Sequence, residues 1–266
     1  MNPNPKSIIL TALLMLSIVN LYGQDDDAEL AKKLSNPIAS LISVPFQNNS
    51  DYGIGDLKGS RNTLNFQPVL PISLNENLNM ITRVVLPIVT QNNITGIGEK
   101  QSGLSDAVAS AFFSPKNTKN GFTWGAGPAL LIPTGTDDFL TAKKFGIGPT
   151  AVALKQTNGW TLGMLVNQIW SVAGSKDRPD VNQMFVQPFI THNWKSGAGL
   201  GASGEWTQNW ESNTTSVWII PTVSGVTSIG SQKVSLAVGP RLNVIAPESM
   251  RADWGWRAIV VFLFPK

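Results

Sequence analysis

Val234-Ser235-Leu236-Ala237-Val238-Gly239-Pro240-Arg241-Leu242-Asn243-Val244-Ile245 alternates with a period of two. Val234, Leu236, Val238, Pro240, Leu242 and Val244 share one face, and Ser235, Ala237, Gly239, Arg241 and Asn243 share the other. Successive side chains of a β-strand point to opposite sides of the sheet, so this segment is a strand with one apolar and one small or polar face. Residues 62–72 repeat the pattern, with Leu64, Phe66, Pro68, Leu70 and Ile72 set against Thr63, Asn65 and Gln67. Residues 197–208 do so again, with Ala198, Leu200, Ala202 and Trp206 set against Gly199, Gly201, Ser203 and Glu205.

Composition decides which face meets solvent. Charged residues make up 14% of the 266-residue chain and apolar ones 42%, with mean hydropathy +0.02. Soluble domains carry about 25% charge, so the usual solvated surface is missing. No apolar run reaches the length that a membrane helix needs. Low charge without spanning helices suits a chain that meets lipid with alternate residues only. The pI near 9.2 reflects a net charge of just +3, with Lys and Arg scattered. No nucleic-acid partner is expected from that distribution. With no cysteine, the chain has no lipoprotein anchor, disulfide scaffold or thiol-based metal or redox chemistry.

Residues 1–23 read as a signal peptide, with Lys6 before the apolar stretch from Ile8 to Val19 and a cleavage site before Gln24. Asp25 to Leu34 reads as a helix with acidic residues in its first turn and lysines in its last. Residues 24–37 are therefore expected to form a short periplasmic lead-in, and 38–266 the barrel. Twelve strands are expected, at 38–47, 62–72, 77–88, 103–114, 121–133, 145–155, 159–172, 182–192, 197–208, 216–227, 232–246 and 255–264. That allows about 19 residues for each strand with its connection, enough for ~10-residue tilted strands. Short links at 73–76, 115–120, 156–158, 193–196 and 228–231 include the turn signals Asn120-Gly121 and Asn158-Gly159. Longer polar loops are expected at 48–61, 89–102, 134–144, 173–181, 209–215 and 247–254. Short periplasmic turns and longer outer loops are the asymmetry of an up-and-down antiparallel outer-membrane β-barrel.

Nine tryptophans suit the aromatic girdles of such a barrel, with Trp124, Trp160, Trp194, Trp218, Trp254 and Trp256 near strand ends. Against the pattern stand eight prolines inside proposed strands: Pro45, Pro68, Pro87, Pro128, Pro149, Pro188, Pro221 and Pro240. Each removes a ladder donor from a wall that has no free edge.

Several runs also resemble a known bacterial family. They are Asn36 to Asn49 (NPIASLISVPFQNN), Asn65 to Pro71 (NFQPVLP), Phe112 to Pro115 (FFSP), Gly146 to Val152 (GIGPTAV), Asn167 to Ser171 (NQIWS), Gln187-Pro188-Phe189 and Leu263 to Lys266. In this order they resemble outer-membrane barrels labelled "transporter" or, misleadingly, "neuromedin U". Those barrels are similar to proteins of the MetA pathway of phenol degradation. The resemblance implies a barrel with a transport role, and it makes the prolines of the Gly-Pro and Gln-Pro motifs features of the family.

Charges inside predicted strands should face the lumen, since Arg or Lys facing lipid at the midplane costs about 2–4 kcal/mol. Arg83, Asp106, Glu205, Arg241 and Arg257, with Asn65, Gln67 and Asn167, are therefore the expected lumen-lining residues. They either set selectivity or pair across the lumen as a brace. No catalytic residue, metal site or cofactor is expected. The single His192 lies beside a periplasmic turn without a nucleophile motif, and the adjacent carboxylates Asp25-Asp26-Asp27 cannot converge as metal ligands. Expected partners are outer-membrane lipid and lipopolysaccharide, the barrel-assembly machinery, and a small-molecule solute. The expected function is a passive channel or transporter for a small solute, aromatic or hydrophobic by resemblance. The alternative is a non-conducting structural or adhesive barrel acting through its extracellular loops.

Overall fold

A computed structural model describes residues 24–265. The signal-peptide reading of residues 1–23 lies outside the described residues. The chain forms a helix α1 (Gln24–Leu34) and then fourteen strand segments. These are β1 (Ile42–Ile54), β2 (Gly59–Phe66), β3 (Val69–Ser73), β4 (Leu78–Asn92), β5 (Lys100–Leu104), β6 (Ala107–Pro115), β7 (Phe122–Ile132), β8 (Lys144–Thr157), β9 (Trp160–Gly174), β10 (Asn182–Asn193), β11 (Ala198–Asn209), β12 (Thr214–Ile229), β13 (Gln232–Ile245) and β14 (Trp254–Phe264).

Neighbouring segments pair antiparallel, and β1 closes on β14 from Ile42 opposite Phe264 to Tyr52 opposite Trp254. Both β2 and β3 pair with β4, as do β5 and β6. The fourteen segments are thus twelve staves of a closed barrel, two of them interrupted. Twelve strands were expected, and the later boundaries agree to within a few residues. The first does not. The wall begins at Ile42 instead of residue 38, and β1 and β2 fill most of 48–61, leaving a turn at 55–58.

Parity along the strands sorts the side chains. Leu162, Met164, Val223, Leu236 and Val238 project outward and are about half exposed. Contiguous outward apolar surface on this scale is unsuited to water and fits a bilayer core. Eight of the nine tryptophans are exposed. Trp124, Trp160 and Trp194 lie towards the short-turn end, and Trp170, Trp206, Trp210, Trp254 and Trp256 towards the other. Trp218 departs from the expected girdle, because it points inward and lies 4.3 Å beneath the Arg241 guanidinium.

The prolines sit at breaks in the ladder. Pro68 falls between β2 and β3, and Pro128 faces Pro149 across β7 and β8. Pairing of β8 with β9 skips from Ile147–Trp170 to Thr150–Asn167, and that of β12 with β13 from Ile219–Leu242 to Val223–Val238. At each of these two gaps a glycine precedes a proline and lets a neighbouring carbonyl move in. A Cβ on Gly148 would lie 1.7 Å from the Gln168 oxygen, and one on Gly239 would lie 1.8 Å from the Pro221 oxygen. The Gly-Pro pair is one local device, combining a missing donor with space for the strand to bend.

The segment expected to be a simple lead-in turns back into the barrel. Leu30 and Ala31 are buried against inward-facing Val226, Val261 and Leu263, with Leu41. Ile38 is buried among Ile81, Phe112, Val152, Leu154 and Leu165. The inner wall is therefore apolar at this end, which supplies a partner for the apolar stripe of an otherwise charged helix. Polar contacts fix the seat. Asp27 pairs with Lys233 at 2.7 Å, Gln156 donates to the Lys32 carbonyl at 2.8 Å, and Asn193 donates to Ser35 Oγ at 2.7 Å.

Gly148→Ala and Gly239→Ala are each expected to lower stability by about 1–3 kcal/mol, the range for overpacking. Gly225→Ala, whose Cβ would meet nothing within 4 Å, is expected to be neutral. Urea unfolding in lipid vesicles, followed by heat-modifiable gel mobility, measures the difference.

Candidate functional site in the barrel lumen

Inward positions of β1, β2, β4, β5 and β11–β14 build a polar belt in the half of the lumen away from α1. Arg241 on β13 places Nε 2.9 Å and Nη2 3.4 Å from the two carboxylate oxygens of Asp51 on β1. Its Nη1 lies 3.5 Å from Glu205 Oε2 on β11. Arg257 on β14 places Nη2 2.7 Å from Glu205 Oε1 and donates from Nε to Asn49 Oδ1 at 2.7 Å. Glu205 is thus shared by two guanidinium groups from other staves. Arg241, Arg257 and Asp51 are buried, and planar guanidinium stacked on Trp218 suits such a site better than a lysine would.

The belt continues through amides. Arg61 Nε donates to Gln91 Oε1 at 3.0 Å, Gln91 donates to Gln101 at 3.1 Å, and Gln101 donates to Thr95 Oγ1 at 2.7 Å. Its five charged members are three arginines and two carboxylates, so the belt carries an excess positive charge.

On the neighbouring part of the outer rim, the loop 133–143 folds over the lumen side of β5. A Cβ on inward-facing Gly103 would meet Thr136 Oγ1 at 2.2 Å and Leu140 Cδ1 at 3.9 Å. Asp106 organises this loop, accepting from Gly135 N (3.1 Å), Thr141 Oγ1 (2.6 Å) and Ala142 N (2.7 Å). Its carboxylate takes all three of these hydrogen bonds from the loop, so Asp106 is the anchor of the loop 133–143. Outside the membrane-spanning strands, hydrogen bonds from Lys144 and Ser171 hold the Asp180 carboxyl below its usual range and pin the loop 175–181.

The remaining expected residues lie elsewhere along the wall. Asn65 faces inward between Gln47 and Pro87. Asn167 faces inward beside Thr150 and Phe185 and stays apart from the belt. Gln67 accepts a 2.6 Å hydrogen bond from Arg83 Nη2. Between the belt and α1 lies a cavity of about 320 Å³ that reaches Arg83, Gln67, Gln47, Gln187 and Phe189.

Sequence reasoning missed Asn49, Asp51, Arg61, Gln91, Gln101 and Trp218. The first three fall in 48–61, and Gln91 and Gln101 in 89–102, stretches expected to be outer loops. Inward positions near the outer rim are as polar as loop residues, so only the weak alternation of Asn49, Asp51, Arg61 and Thr63 could have extended the strands. His192 points outward between Trp160 and Trp194, with ring centroids 4.7 and 5.0 Å away.

These features define a transmembrane β-barrel of the outer-membrane class, its lumen polar in one half and packed by α1 in the other. Residues 42–258 match the family described as "Putative MetA-pathway of phenol degradation", and the chain belongs to that family. No curated protein matches it in sequence. Among solved structures, an outer-membrane channel from Pseudomonas putida F1 is similar at TM-score 0.65 and 14% identity, over 84% of this chain and 94% of that one. The β domain of the Bordetella autotransporter BrkA is similar at TM-score 0.49 and 11% identity, over 85% and 100%. Outer membrane phospholipase A from Escherichia coli is similar at TM-score 0.45 and 12% identity, over 83% and 96%. The fold places this chain in the outer membrane.

Glu205→Gln removes the carboxylate shared by Arg241 and Arg257 and is expected to cost about 3–5 kcal/mol, as when one partner of a buried pair is lost. Replacing Asp51, Glu205, Arg241 and Arg257 together with apolar residues should recover much of that loss. Urea unfolding in vesicles reads the stability. A change in ion selectivity without loss of stability would show instead that these groups serve the pore alone.

Proposed function

We propose that this barrel is a passive conduit for a small solute, closed at the periplasmic end by its own N-terminal helix. The observation that carries this reading is the cavity of about 320 Å³ between the polar belt and α1. A structural barrel of this size has no need of that space. Twelve staves also lie between the eight of barrels filled by side chains and the 16–18 of open porins, so a narrow passage with a removable stopper is physically consistent. The seat of α1 is partly polar, resting on the Asp27–Lys233 pair and the amides of Gln156 and Asn193. Polar contacts of this kind, one exposed and two part-buried, can be exchanged for water, so the helix can shift without unfolding the wall.

Short outer loops count against an adhesive role. Connections at 55–58, 93–99, 175–181, 210–213 and 246–253 offer little surface, and the longest, 133–143, folds inward. The same reading takes the barrel as non-enzymatic. His192 lies at the rim opposite the outer leaflet and faces away from the lumen, so it has no placement as a general base. The family's description refers to phenol degradation, which supports a small aromatic or hydrophobic solute.

The chain has no cysteine, so Ser35→Cys with Asn193→Cys introduces one possible disulfide, between α1 and the wall. In planar bilayers the oxidised double variant is expected to show far fewer openings than the wild type, with recovery on reduction. A wild-type protein that shows no openings, folded and at both polarities, would overturn the conduit reading.

A further inference from the structure

Arg83 is set apart from the other arginines of the lumen. Arg241 and Arg257 each lie within 4.0 Å of a carboxylate, and Arg61 stands in the belt near Asp51. Arg83 lies outside the belt, on the wall of the cavity, and its hydrogen bond goes to a neutral partner, Gln67 Oε1. Among the described residues no carboxylate comes within 4.0 Å of it. A guanidinium has five N–H donors. Nε and Nη1 of Arg83 find no partner among the described residues and are not sealed off, since the buried unpaired side-chain atoms are His192 Nδ1 and Arg241 Nη1. Those donors open into the cavity.

The rest of the lining narrows the chemistry. Gln47, Gln67 and Gln187 supply neutral amides around the cationic end. Val69 and Phe189, also on the cavity wall, pack against the apolar cluster centred on Ile38. Glu205 acts on Arg83 only from beyond contact distance, so the free donors of Arg83 remain available to an anion. One guanidinium fork matches one carboxylate in bidentate geometry. A dianion such as phosphate would leave charge uncompensated here. A volume of about 320 Å³ lies at the small end of the roughly 300–1,000 Å³ range of small-molecule sites.

We propose that this cavity is a binding site for a small organic monocarboxylate with an apolar body, its carboxylate on Arg83 and its body against Val69 and Phe189. The proposal rests on the reading of the lumen as a solute path and names the class of solute held there. Arg83 is the residue that discriminates the anion from its neutral counterpart.

The test uses the full chain in detergent micelles, with hexanoate as probe and hexanamide as its uncharged isostere, followed by saturation-transfer NMR. Hexanoate is expected to bind the wild type at least tenfold more tightly than it binds Arg83→Gln, with partial recovery in Arg83→Lys. Hexanamide should bind both proteins equally weakly. Equal hexanoate binding by wild type and Arg83→Gln, or equal binding of hexanoate and hexanamide by the wild type, overturns the site. If Arg83→Gln does not fold, as judged by heat-modifiable mobility, Arg83→Lys and Phe189→Ala must each weaken hexanoate binding, and unchanged affinity in both overturns the site. Conductance separates this from the conduit reading. Hexanoate binding by a barrel that never opens refutes the conduit and keeps the site, whereas openings without hexanoate preference refute the site and keep the conduit.

Discussion

Closure of β1 on β14 is the constraint on which the rest of the molecule depends. In a bilayer core no water can satisfy a free backbone group, so a sheet survives there only when its last strand pairs with its first. Eleven residue pairs make that junction, from Ile42–Phe264 to Tyr52–Trp254. The same junction places Asn49 opposite Arg257 and Asp51 opposite Gly255, beside Arg241. The lumen network is thus a product of closure. A wall under this constraint would be expected to avoid proline, yet this one carries several at positions where the ladder is interrupted. Glycines next to Pro149 and Pro240 let the displaced carbonyls approach, so the cost of a lost donor is confined to a gap of two or three residues instead of spreading along a stave.

The lumen is divided by polarity along its axis. Towards the outer rim, inward side chains are charged or amide-bearing and satisfy one another across staves. Towards the rim that carries the short turns and α1 they are apolar, with Ile81, Phe112, Val152, Leu154, Val226, Val261 and Leu263 facing in. An apolar interior open to water would be unfavourable, and α1 with Ile38 and Leu41 covers it. The outer belt resists collapse because buried charges need their partners. The inner seat is held partly by apolar contact and partly by exchangeable polar contacts. The cavity lies where these two regimes meet, and there Arg83 is left with a neutral partner.

Much of the architecture was legible in the sequence. Period-two alternation in 234–245, 62–72 and 197–208 identified strands, and low charge without a spanning helix identified lipid as the solvent of their apolar face. Asn120-Gly121 and Asn158-Gly159 marked turns that the structure shows. Legibility failed where two environments share a composition. Asn49, Asp51 and Arg61 resemble loop residues because a polar lumen and bulk water select the same side chains. Ile38 and Leu41 resemble a strand start because a plug packed on an apolar inner wall is as apolar as the wall. Trp218 resembles a girdle residue because tryptophan suits both an interface and a stacked arginine. The role of Asp106 as a loop anchor was not legible, because its donors Gly135, Thr141 and Ala142 come from about thirty residues further on.

By itself the sequence determined strand number and which residues of each strand could face lipid, because alternation and turn chemistry act over a few neighbouring residues. Only the tertiary structure decided which inward residues meet. Glu205 reaches Arg241 and Arg257, Asp27 reaches Lys233 and Ser35 reaches Asn193 because barrel closure and strand stagger bring distant segments together. That convergence separated a braced arginine from one left facing a cavity, a distinction set by cross-stave geometry that no single strand encodes.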